Sequence, residues 1–386
     1  MRNRVLIIGG GASGMAAAIT ASKTCDVTII EKNDRLGKKL LLTGNGRCNF
    51  GNLSIPSNAY NNMSFVSEVI ARSKEDANKL IEEIGVVSYA DKEGRIYPVS
   101  ESATSVVDCL RYACERENIT VMTGKTAESV FKRDNGFAVT LNDGTLLIGD
   151  KVIIAAGGKS YTQSYNVDKL VESRNFIPIH PGLTGVKVNP VVKALSGLRI
   201  KSKVSLMKNG VTVYKEKGEV QFKDNYISGI VVMNASSIVA RDYENISQYT
   251  LRLNILPTIT KTELVPMLQD RLDRFGAQRM LKGLFHSRVV EEIKRRAIEL
   301  GYNDITSIAS IIRHFDFSVV GLNGYDTAQI TVGGIDTHAL KANLEFRKTE
   351  GLFACGEAVD VDGLCGGYNL HWAFTSGIVA GKLEAM

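Results

Sequence analysis

The residues of this sequence best suited to chemistry begin within its first 31 positions. An apolar run ending at Ile8 is followed at once by the segment GGGASG at positions 9–14. In such a GxGxxG pattern the first glycine permits a tight turn, the second lets backbone approach a pyrophosphate, and the third allows close helix packing. Glu31 follows Gly14 by 17 residues, a distance at which a carboxylate can accept hydrogen bonds from an adenosine ribose. The spacing predicts a dinucleotide site.

The flanking residues predict the elements that would position this site. Residues 5–8 have the pattern of a buried strand, residues 15–22 form an alanine-rich helical stretch, and residues 27–30 form a second strand that ends on Glu31. The pyrophosphate would then lie on the unpaired N–H groups at the positive end of the helix. An acid at position 31 disfavours a 2′-phosphate, which favours FAD or NAD over NADP. The alternative is an ordinary tight turn between a strand and a helix.

Length and composition set the class of protein. The chain has 386 residues, of which 44% are hydrophobic and 23% charged, as expected of a soluble globular protein with two or three domains. The first apolar run is too short for a signal peptide, and no stretch reaches the length of a membrane span. We therefore expect a cytoplasmic protein that does not enter a membrane. Its six cysteines form no CxxC pair and its five histidines are scattered, so reduced thiols and no bound metal are expected.

Charge is distributed unevenly along the chain. Residues 191–320 hold 20 Lys and Arg against 13 Asp and Glu, whereas the remainder holds 27 against 28. The net charge of +6 therefore arises in the middle of the sequence. This surplus is explained either by a solvated, lysine-rich surface or by a surface that attracts an anionic substrate or nucleic acid.

The middle of the chain has a different pattern from its ends. Residues 186–255 alternate between strand-like and turn-like segments, with Asn209-Gly210 a strong hairpin signal. Residues 264–275, 287–300 and 305–315 have helical periodicity. A β block followed by a helical block predicts an inserted substrate domain and a cap.

The last part of the chain returns to a nucleotide-binding pattern. Residues 351–357 read as a short strand that ends on Glu357, and a glycine-rich loop then leads into a final apolar helix. A carboxylate at Glu357 or Asp360 is suited to bind a ribityl hydroxyl. A helix beginning near Tyr368 can direct its positive end at the N1/O2 edge of a flavin, where negative charge collects on reduction.

With both ends considered, the sequence resembles the bacterial BaiN-like (YhiN-like) FAD-dependent oxidoreductases, within the larger group of glutathione-reductase-type flavoproteins. Five segments carry the resemblance and together extend over nearly the whole chain. They are GGGASGM at 9–15, GKKLLLTGNGRCN at 37–49, GRIYPVS at 94–100 continuing into SATSVVDCLR at 102–111, AAGGKSY at 155–161, and GEAVDVDGLCGGYNLHWAFTSG at 356–377.

The resemblance implies an α/β fold: a Rossmann-like FAD-binding domain with a parallel sheet, an inserted β-barrel domain and a helical cap. We expect a discontinuous FAD-binding domain at 1–188 plus 320–386, an inserted β-rich domain at 189–258 and a helical cap at 259–319. One departure concerns residues 161–168, where the family usually has a proline and a glycine-rich turn and this sequence is shorter and lacks those glycines.

The resemblance also implies which residues contact FAD. Carried over position by position, they are Gly9, Gly11, Ala12, Ser13, Gly14, Glu31, Lys32, Lys39, Leu40, Thr43, Asn45, Cys48, Ala127, Ala156, Gly157, Gly158, Gly356, Glu357, Asp360, Gly367, Tyr368, Asn369 and Leu370.

The expected activity is that of an FAD-dependent oxidoreductase. FAD would perform the electron chemistry. Because the sequence has only one GxGxxG, NADH or NADPH would bind transiently over the flavin as electron donor, or another reductant would replace it. The family implies reduction of conjugated enones, on steroid-like or other small molecules. Such a reaction needs a hydrogen-bond donor near the carbonyl oxygen and a proton source. The candidates are Arg47, Tyr161, Tyr368 and His371, each of which could instead serve only in packing or loop structure.

Three alternatives remain at the level of sequence. An amine or hydroxy-acid oxidase would use the same fold with oxygen as acceptor. A flavoprotein acting on RNA would use the basic middle region. A redox-responsive flavin-binding module would bind FAD without turnover and release a partner.

Overall fold

The computed structural model describes residues 2–384 except 74–76, 117, 162–164, 192 and 302–303. Its strands are β1 (Arg4–Ile8), β2 (Asp26–Ile30), β3 (Gly51–Asn52), β4 (Ser88–Ala90), β5 (Arg95–Pro98), β6 (Ile119–Met122), β7 (Ala127–Arg133), β8 (Gly136–Leu141), β9 (Leu146–Gly149), β10 (Lys151–Ile154), β11 (Phe176–Gly182), β12 (Val186–Asn189), β13 (Arg199–Lys208), β14 (Val211–Phe222), β15 (Tyr226–Ser228), β16 (Tyr249–Asn254), β17 (Phe315–Leu322), β18 (Ile330–Ile335) and β19 (Leu352–Ala354). Its helices are α1 (Ala12–Ala21), α2 (Met63–Ser73), α3 (Ala77–Glu83), α4 (Ala103–Ala113), α5 (Val167–Leu170), α6 (Ile230–Arg241), α7 (Lys261–Phe275), α8 (Ser287–Glu299), α9 (Ile305–Arg313) and α10 (Tyr368–Gly381).

The chain divides into two compact units. One comprises residues 1–180 and 329–386, and the other comprises residues 181–328. The first unit therefore contains both ends of the sequence, and the second is inserted between them.

A parallel sheet in the order β19-β10-β1-β2-β6 forms the centre of the first unit. Residues 5–8 of β1 are buried, as expected for a central parallel strand that is covered on both faces. The parallel sheet of a Rossmann-like domain, expected from the sequence, is confirmed. Because strand carboxyl ends meet at one edge of a parallel sheet, the loops after β1, β2, β10 and β19 are gathered there.

Helices α1 and α10 pack closely on each other in the same unit. A Cβ atom added at Gly377 would lie 2.4 Å from the carbonyl oxygen of Ser13, and one added at Gly381 would lie 2.6 Å from that of Ala17. The small residues of the alanine-rich α1 face these glycines, so the two backbones approach each other without a side chain between them. This contact fixes the position of one helix start relative to the other.

A closed barrel of strands in the order β12-β15-β14-β13-β16-β17 forms the second unit together with α6 to α9. An inserted barrel accompanied by helices is confirmed as the architecture. Strand β12 begins before the predicted range 189–258, and strand β17 lies wholly after it. The barrel closes only when these two strands pair with each other, which sequence periodicity does not report.

Helix α6 differs from the strand-and-turn pattern predicted for residues 186–255. The run Ile230-Val231-Val232 has β-branched side chains that favour a strand, yet it begins a helix that buries Val231, Val232 and Val239. Strand β14 presents Gly218 to this helix, and a Cβ atom there would lie 2.4 Å from Val231 Cγ1. Packing on the barrel therefore overrides the local preference.

The predicted helices of residues 264–275, 287–300 and 305–315 correspond to α7, α8 and α9. Helix α7 begins with a capping box, in which the Thr260 hydroxyl accepts from the Glu263 N–H and the Glu263 carboxylate accepts from the Thr260 N–H. None of the described helices combines the length and apolar character needed to cross a bilayer.

Candidate dinucleotide-binding and active site

The glycine-rich loop joins β1 to α1 at the carboxyl edge of the parallel sheet. Gly9 has a φ of 107°, and a Cβ atom there would lie 2.4 Å from the carbonyl oxygen of Ala155 in the neighbouring strand end. A Cβ atom at Gly14 would lie 1.9 Å from the Gly9 carbonyl oxygen, whereas one at Gly11 would meet nothing within 4 Å. Two of the three glycines are therefore required by the protein itself, and the third borders open space.

The start of α1 has the features of an anion site. Its N-cap is Gly11, and no side chain caps the helix. The first N–H groups of an α-helix have no acceptor within the helix, and they carry its positive dipole end. The open space at Gly11 and the uncapped N–H groups of Ala12 and Ser13 therefore fit the pyrophosphate of a dinucleotide.

Glu31 is buried at the end of β2 and closes the loop. Its Oε2 accepts a hydrogen bond from the Gly10 N–H at 2.7 Å, and its Oε1 accepts from the backbone and side-chain nitrogens of Asn33 at 2.8 and 2.6 Å. A carboxylate has about four lone-pair sites, so acceptor capacity remains for ribose hydroxyls. Glu31 thus fits the ribose role while it also positions the loop.

Lys39 and Glu357, both expected to contact FAD, form an ion pair with each other. The Lys39 Nζ lies 2.5 Å from Glu357 Oε2 and donates to the Ser160 hydroxyl at 2.5 Å. Glu357 Oε1 accepts from the N–H of Thr331 in β18 at 2.8 Å. This group of side chains joins the segment after β2 to the loops after β10 and β19. A Cβ atom at Gly158 would meet Glu357 Oε1 at 2.6 Å, which keeps that loop close.

The segment 40–48 runs through unusual backbone conformations. Asn45 and Cys48 have φ values of 56° and 58°, in the left-handed region that side chains other than glycine rarely adopt. The Thr43 hydroxyl donates to the Leu40 carbonyl at 2.7 Å, and Leu40 is buried. Burial also raises the pKa of the Cys48 thiol to about 12. Backbone of this kind is concentrated at functional sites because surrounding contacts must hold it.

The start of α10 is held by backbone contacts at Gly367. This residue has a φ of 94°, and a Cβ atom there would lie 2.2 Å from the Gly51 carbonyl oxygen. With the Asn49 amide oriented to satisfy its neighbours, its oxygen accepts from the Gly367 N–H at 3.0 Å and its nitrogen donates to the Gly51 and Ile96 carbonyls. No side chain caps α10, so its first N–H groups form a positive helix end, as those of α1 do.

Tyr60 organises the first turn of α10. Its buried hydroxyl donates to the Tyr368 carbonyl at 2.9 Å and lies 3.2 Å from His371 Nδ1. The hydroxyl has one proton and the carbonyl can only accept, so His371 Nδ1 is assigned as the donor to the Tyr60 oxygen. The Tyr60 and Tyr368 rings are perpendicular, with centroids 6.0 Å apart. Burial raises the pKa of both phenols.

The four catalytic candidates have different surroundings. Tyr368 and His371 meet at Tyr60, a residue that sequence reasoning missed because no motif surrounds it. The Arg47 guanidinium lies over the Tyr97 ring, 4.8 Å from its centroid. Tyr161 is 45% exposed with a φ of 57°, and it precedes residues 162–164, which lie outside the described part of the chain.

The other expected contact residues are spread over the same unit. Ala127 O accepts from the Asn166 amide at 2.6 Å, and Asp360 Oδ1 accepts from the Gly333 N–H at 3.2 Å. The Asn369 amide group exchanges hydrogen bonds with the backbone of Gly363. Burial lowers the pKa of the Lys32 ammonium. The remaining residues of this set are Ala156, Gly157, Gly356 and Leu370, all of which are buried or half-buried.

Known proteins resemble the chain over its whole length. The family described as HI0933-like protein Rossmann domain matches residues 3–383. The chain is 31% identical to the 3-dehydro-bile acid delta(4,6)-reductase of Clostridium scindens, with 99% of each chain covered. It is 30% identical to the ribosomal RNA dihydrouridine synthase of Escherichia coli, covering 96% of this chain and 95% of the relative, and 25% identical to the protein of that description from Haemophilus influenzae, covering 96% of each.

The family expected from the sequence is confirmed by these matches. The chain is an oxidoreductase of the FAD-dependent class, and it belongs to the family of HI0933-like proteins with a Rossmann domain.

Proposed function

We propose that this protein reduces a carbon–carbon double bond conjugated to a carbonyl group in a small-molecule enone, with NADH or NADPH as electron donor. The observation that carries the proposal is the first turn of α10, where an uncapped helix start adjoins the hydrogen-bonded group of Tyr60, Tyr368 and His371. Reduction of an enone adds hydride to the β-carbon and a proton to the α-carbon. It therefore needs both positive charge for the enolate oxygen and a proton donor.

The residues divide this work between them. The 9–14 loop, the start of α1 and Glu31 would hold the dinucleotide part of FAD, and the start of α10 would lie at its flavin end. FAD, when bound, supplies hydride transfer in this class of enzyme. The N–H groups of Tyr368 and Asn369 would stabilise the negative charge that collects at the N1/O2 edge of the flavin on reduction. His371 holds a proton at Nδ1.

The relatives support this chemistry. The name of the Clostridium scindens relative describes reduction of double bonds in a bile acid, which is a steroid. With a ketone at position 3, as "3-dehydro" indicates, the double bond at position 4 is part of an enone. The same name supports a steroid-like substrate for this chain. Oxygen-dependent oxidation of amines or hydroxy acids stays an alternative that peroxide production would reveal.

The test is an anaerobic half-reaction experiment with the FAD-loaded protein. Bleaching of the flavin band by NADH or NADPH identifies the donor, and addition of a 3-oxo-delta(4) steroid should restore the band and give a product 2 mass units heavier. The Gly11→Val protein, which should retain no flavin, is the control. A flavin that is reduced but is reoxidised only by oxygen would contradict the proposal.

A second candidate function is reduction of a uridine in RNA. Uracil has a C5–C6 double bond conjugated to its C4 carbonyl, so dihydrouridine arises from the same addition of hydride and proton. The 30% identity to an Escherichia coli protein described as a ribosomal RNA dihydrouridine synthase favours it, as does the cationic surplus of residues 191–320. Replacing the steroid by a ribosomal RNA fragment in the same experiment tests it by mass spectrometry of uridine.

A further inference from the structure

The longest hairpin of the barrel has a regular distribution of lysines. Strands β13 and β14 pair over ten residue positions. Lys201 and Lys203 alternate with the buried residues Ser202 and Val204, so they lie on the outer face of β13. The register places Lys217 opposite Lys203, so Lys217 and the neighbouring Lys215 lie on the outer face of β14. We call these four lysines (Lys201, Lys203, Lys215 and Lys217) the hairpin lysine face.

In the part of the chain that the structure describes, the lysines of this face form no ion pair with a carboxylate. Like charges directly opposite each other in a sheet are unfavourable, and Lys203 and Lys217 occupy such a pair. Lys201 lies opposite Glu219, but that carboxylate is 3.3 Å from the Arg199 guanidinium. Among the described residues, no carboxylate lies within 4 Å of the four ammonium groups. The face therefore carries four positive charges, of which those of Lys203 and Lys217 repel each other directly across the strand pair.

The outer positions directly opposite these lysines are polar, and the exposed Val213 lies two positions before Lys215 in β14. Ser205 lies opposite Lys215, and Asn254 lies opposite Lys203 on the next strand. Arg252, beside Asn254 on that strand, forms a bidentate pair with Asp316. Protein–protein interfaces are built around apolar and aromatic anchors and are depleted in lysine. The hairpin lysine face has no such anchor between its lysines, which argues against an acidic protein as its partner.

The spacing fits a chain of phosphates. A strand rises about 3.4 Å per residue, so lysines two positions apart are separated by about 6.8 Å along it, and adjacent strands lie about 4.8 Å apart. Four flexible point charges in this arrangement can follow a backbone that carries one negative charge per nucleotide. Lysine contacts of this kind give affinity and position without reading sequence.

We propose that the hairpin lysine face binds the phosphate backbone of RNA. This inference rests on the RNA form of the proposed function, for which it supplies the docking surface. Since the contacts are to phosphate, binding through this face is independent of sequence and falls steeply with salt concentration.

The test measures binding of the full-length, FAD-loaded protein to a fluorescein-labelled ribosomal RNA stem-loop between 50 and 300 mM KCl. One variant replaces the four hairpin lysines by glutamine. The matched control replaces four other exposed lysines of the same unit by glutamine, namely Lys193, Lys223, Lys261 and Lys282. Both variants lose the same charge, so only the position of that charge differs.

We expect the hairpin variant to bind at least tenfold more weakly at 100 mM KCl, and the slope of log K against log salt to fall by about 3 units. The control should stay within threefold of the wild type. Equal losses in both variants, or no RNA binding by the wild type at 50 mM KCl, would overturn the proposal. So would equally tight binding of poly-glutamate that the hairpin variant also loses, because it would indicate an acidic protein partner.

The readout separates this inference from the proposed function. Flavin content and the rate of flavin reduction by NADH or NADPH should be unchanged in the hairpin variant, since none of its four residues lies in the Rossmann unit. RNA binding that depends on the hairpin without formation of dihydrouridine would sustain the surface and contradict uridine reduction. Formation of dihydrouridine together with unchanged RNA binding by the hairpin variant would support uridine reduction and contradict the hairpin lysine face as the RNA-binding surface.

Discussion

Gly11 and Gly14 belong to one motif but meet different physical demands. Gly14 is required by the fold, because a Cβ atom there would lie 1.9 Å from the Gly9 carbonyl oxygen. At Gly11 the protein leaves open space, and its φ of −80° is accessible to any residue. The sequence motif alone treats the two glycines alike, whereas the structure separates a packing role from a ligand role.

This difference gives a prediction with a built-in control. We expect Gly11→Val to fold with a free energy of unfolding within about 0.5 kcal/mol of the wild-type apoprotein and to purify without FAD. Gly14→Ala should instead lower the stability of the apoprotein by about 3 kcal/mol through overpacking. Urea denaturation of the apoproteins and the flavin absorbance after FAD loading measure both effects. A Gly11→Val protein with a full complement of flavin would move the pyrophosphate away from this loop.

Cys48 gives a prediction about pH. Burial raises its thiol pKa to about 12 from the ordinary value of 9.0. In the unfolded chain the thiol ionises near pH 9, so between pH 9 and 12 the unfolded state binds fewer protons than the folded state. Stability contributed by this thiol is therefore present below pH 9 and falls as the pH rises.

We expect the wild type to lose about 1.4 kcal/mol more unfolding free energy between pH 8 and pH 10 than Cys48→Ala does. Urea titrations under reducing conditions measure this difference, and the baseline cost of the substitution cancels in it. Equal losses in the two proteins would show that the thiol ionises in the folded state.

At the scale of elements, helix α10 determines the geometry of the candidate active site. Gly377 and Gly381 let it lie against α1, and the Asn49 amide and the Tyr60 hydroxyl hold its first turn. The position of this helix start is therefore set by side chains from distant parts of the sequence.

Tyr60→Phe tests this anchoring. The substitution removes the donor to the Tyr368 carbonyl and the partner of His371 Nδ1 in a buried place, so we expect a loss of about 1–2 kcal/mol of stability. Slower reoxidation of the reduced flavin by enone should accompany it. Tyr89→Phe is the control, since that hydroxyl donates to Glu101 at an exposed position and should change stability by less than about 0.5 kcal/mol. Indistinguishable effects of the two substitutions would remove Tyr60 from the anchoring role.

At the scale of the whole molecule, the chain combines a Rossmann unit made from both ends of the sequence with an inserted barrel and helices. Cationic surplus and nucleotide-binding motifs lie in different units. The uneven charge of residues 191–320 already indicated this separation at the level of sequence. The strand register of the barrel then showed that four of these lysines lie on one face of a hairpin. The domain boundaries at 188/189, 258/259 and 319/320 stay proposals.

Much of this protein follows from its sequence alone. The strand-turn-helix-strand pattern of the first 31 residues, the NG hairpin and the amphipathic cap helices depend on neighbours along the chain, and the motifs at both ends identified the family. Other features depend on contacts between residues hundreds of positions apart. Helix α6 forms where strands were predicted because packing on the barrel buries its apolar side chains. The ion pair of Lys39 with Glu357 forms only when two loops meet in the fold. Tyr60 joins α10 through a hydroxyl that no periodicity reveals, since hydrogen bonding across the fold depends on position in space and not on position in sequence.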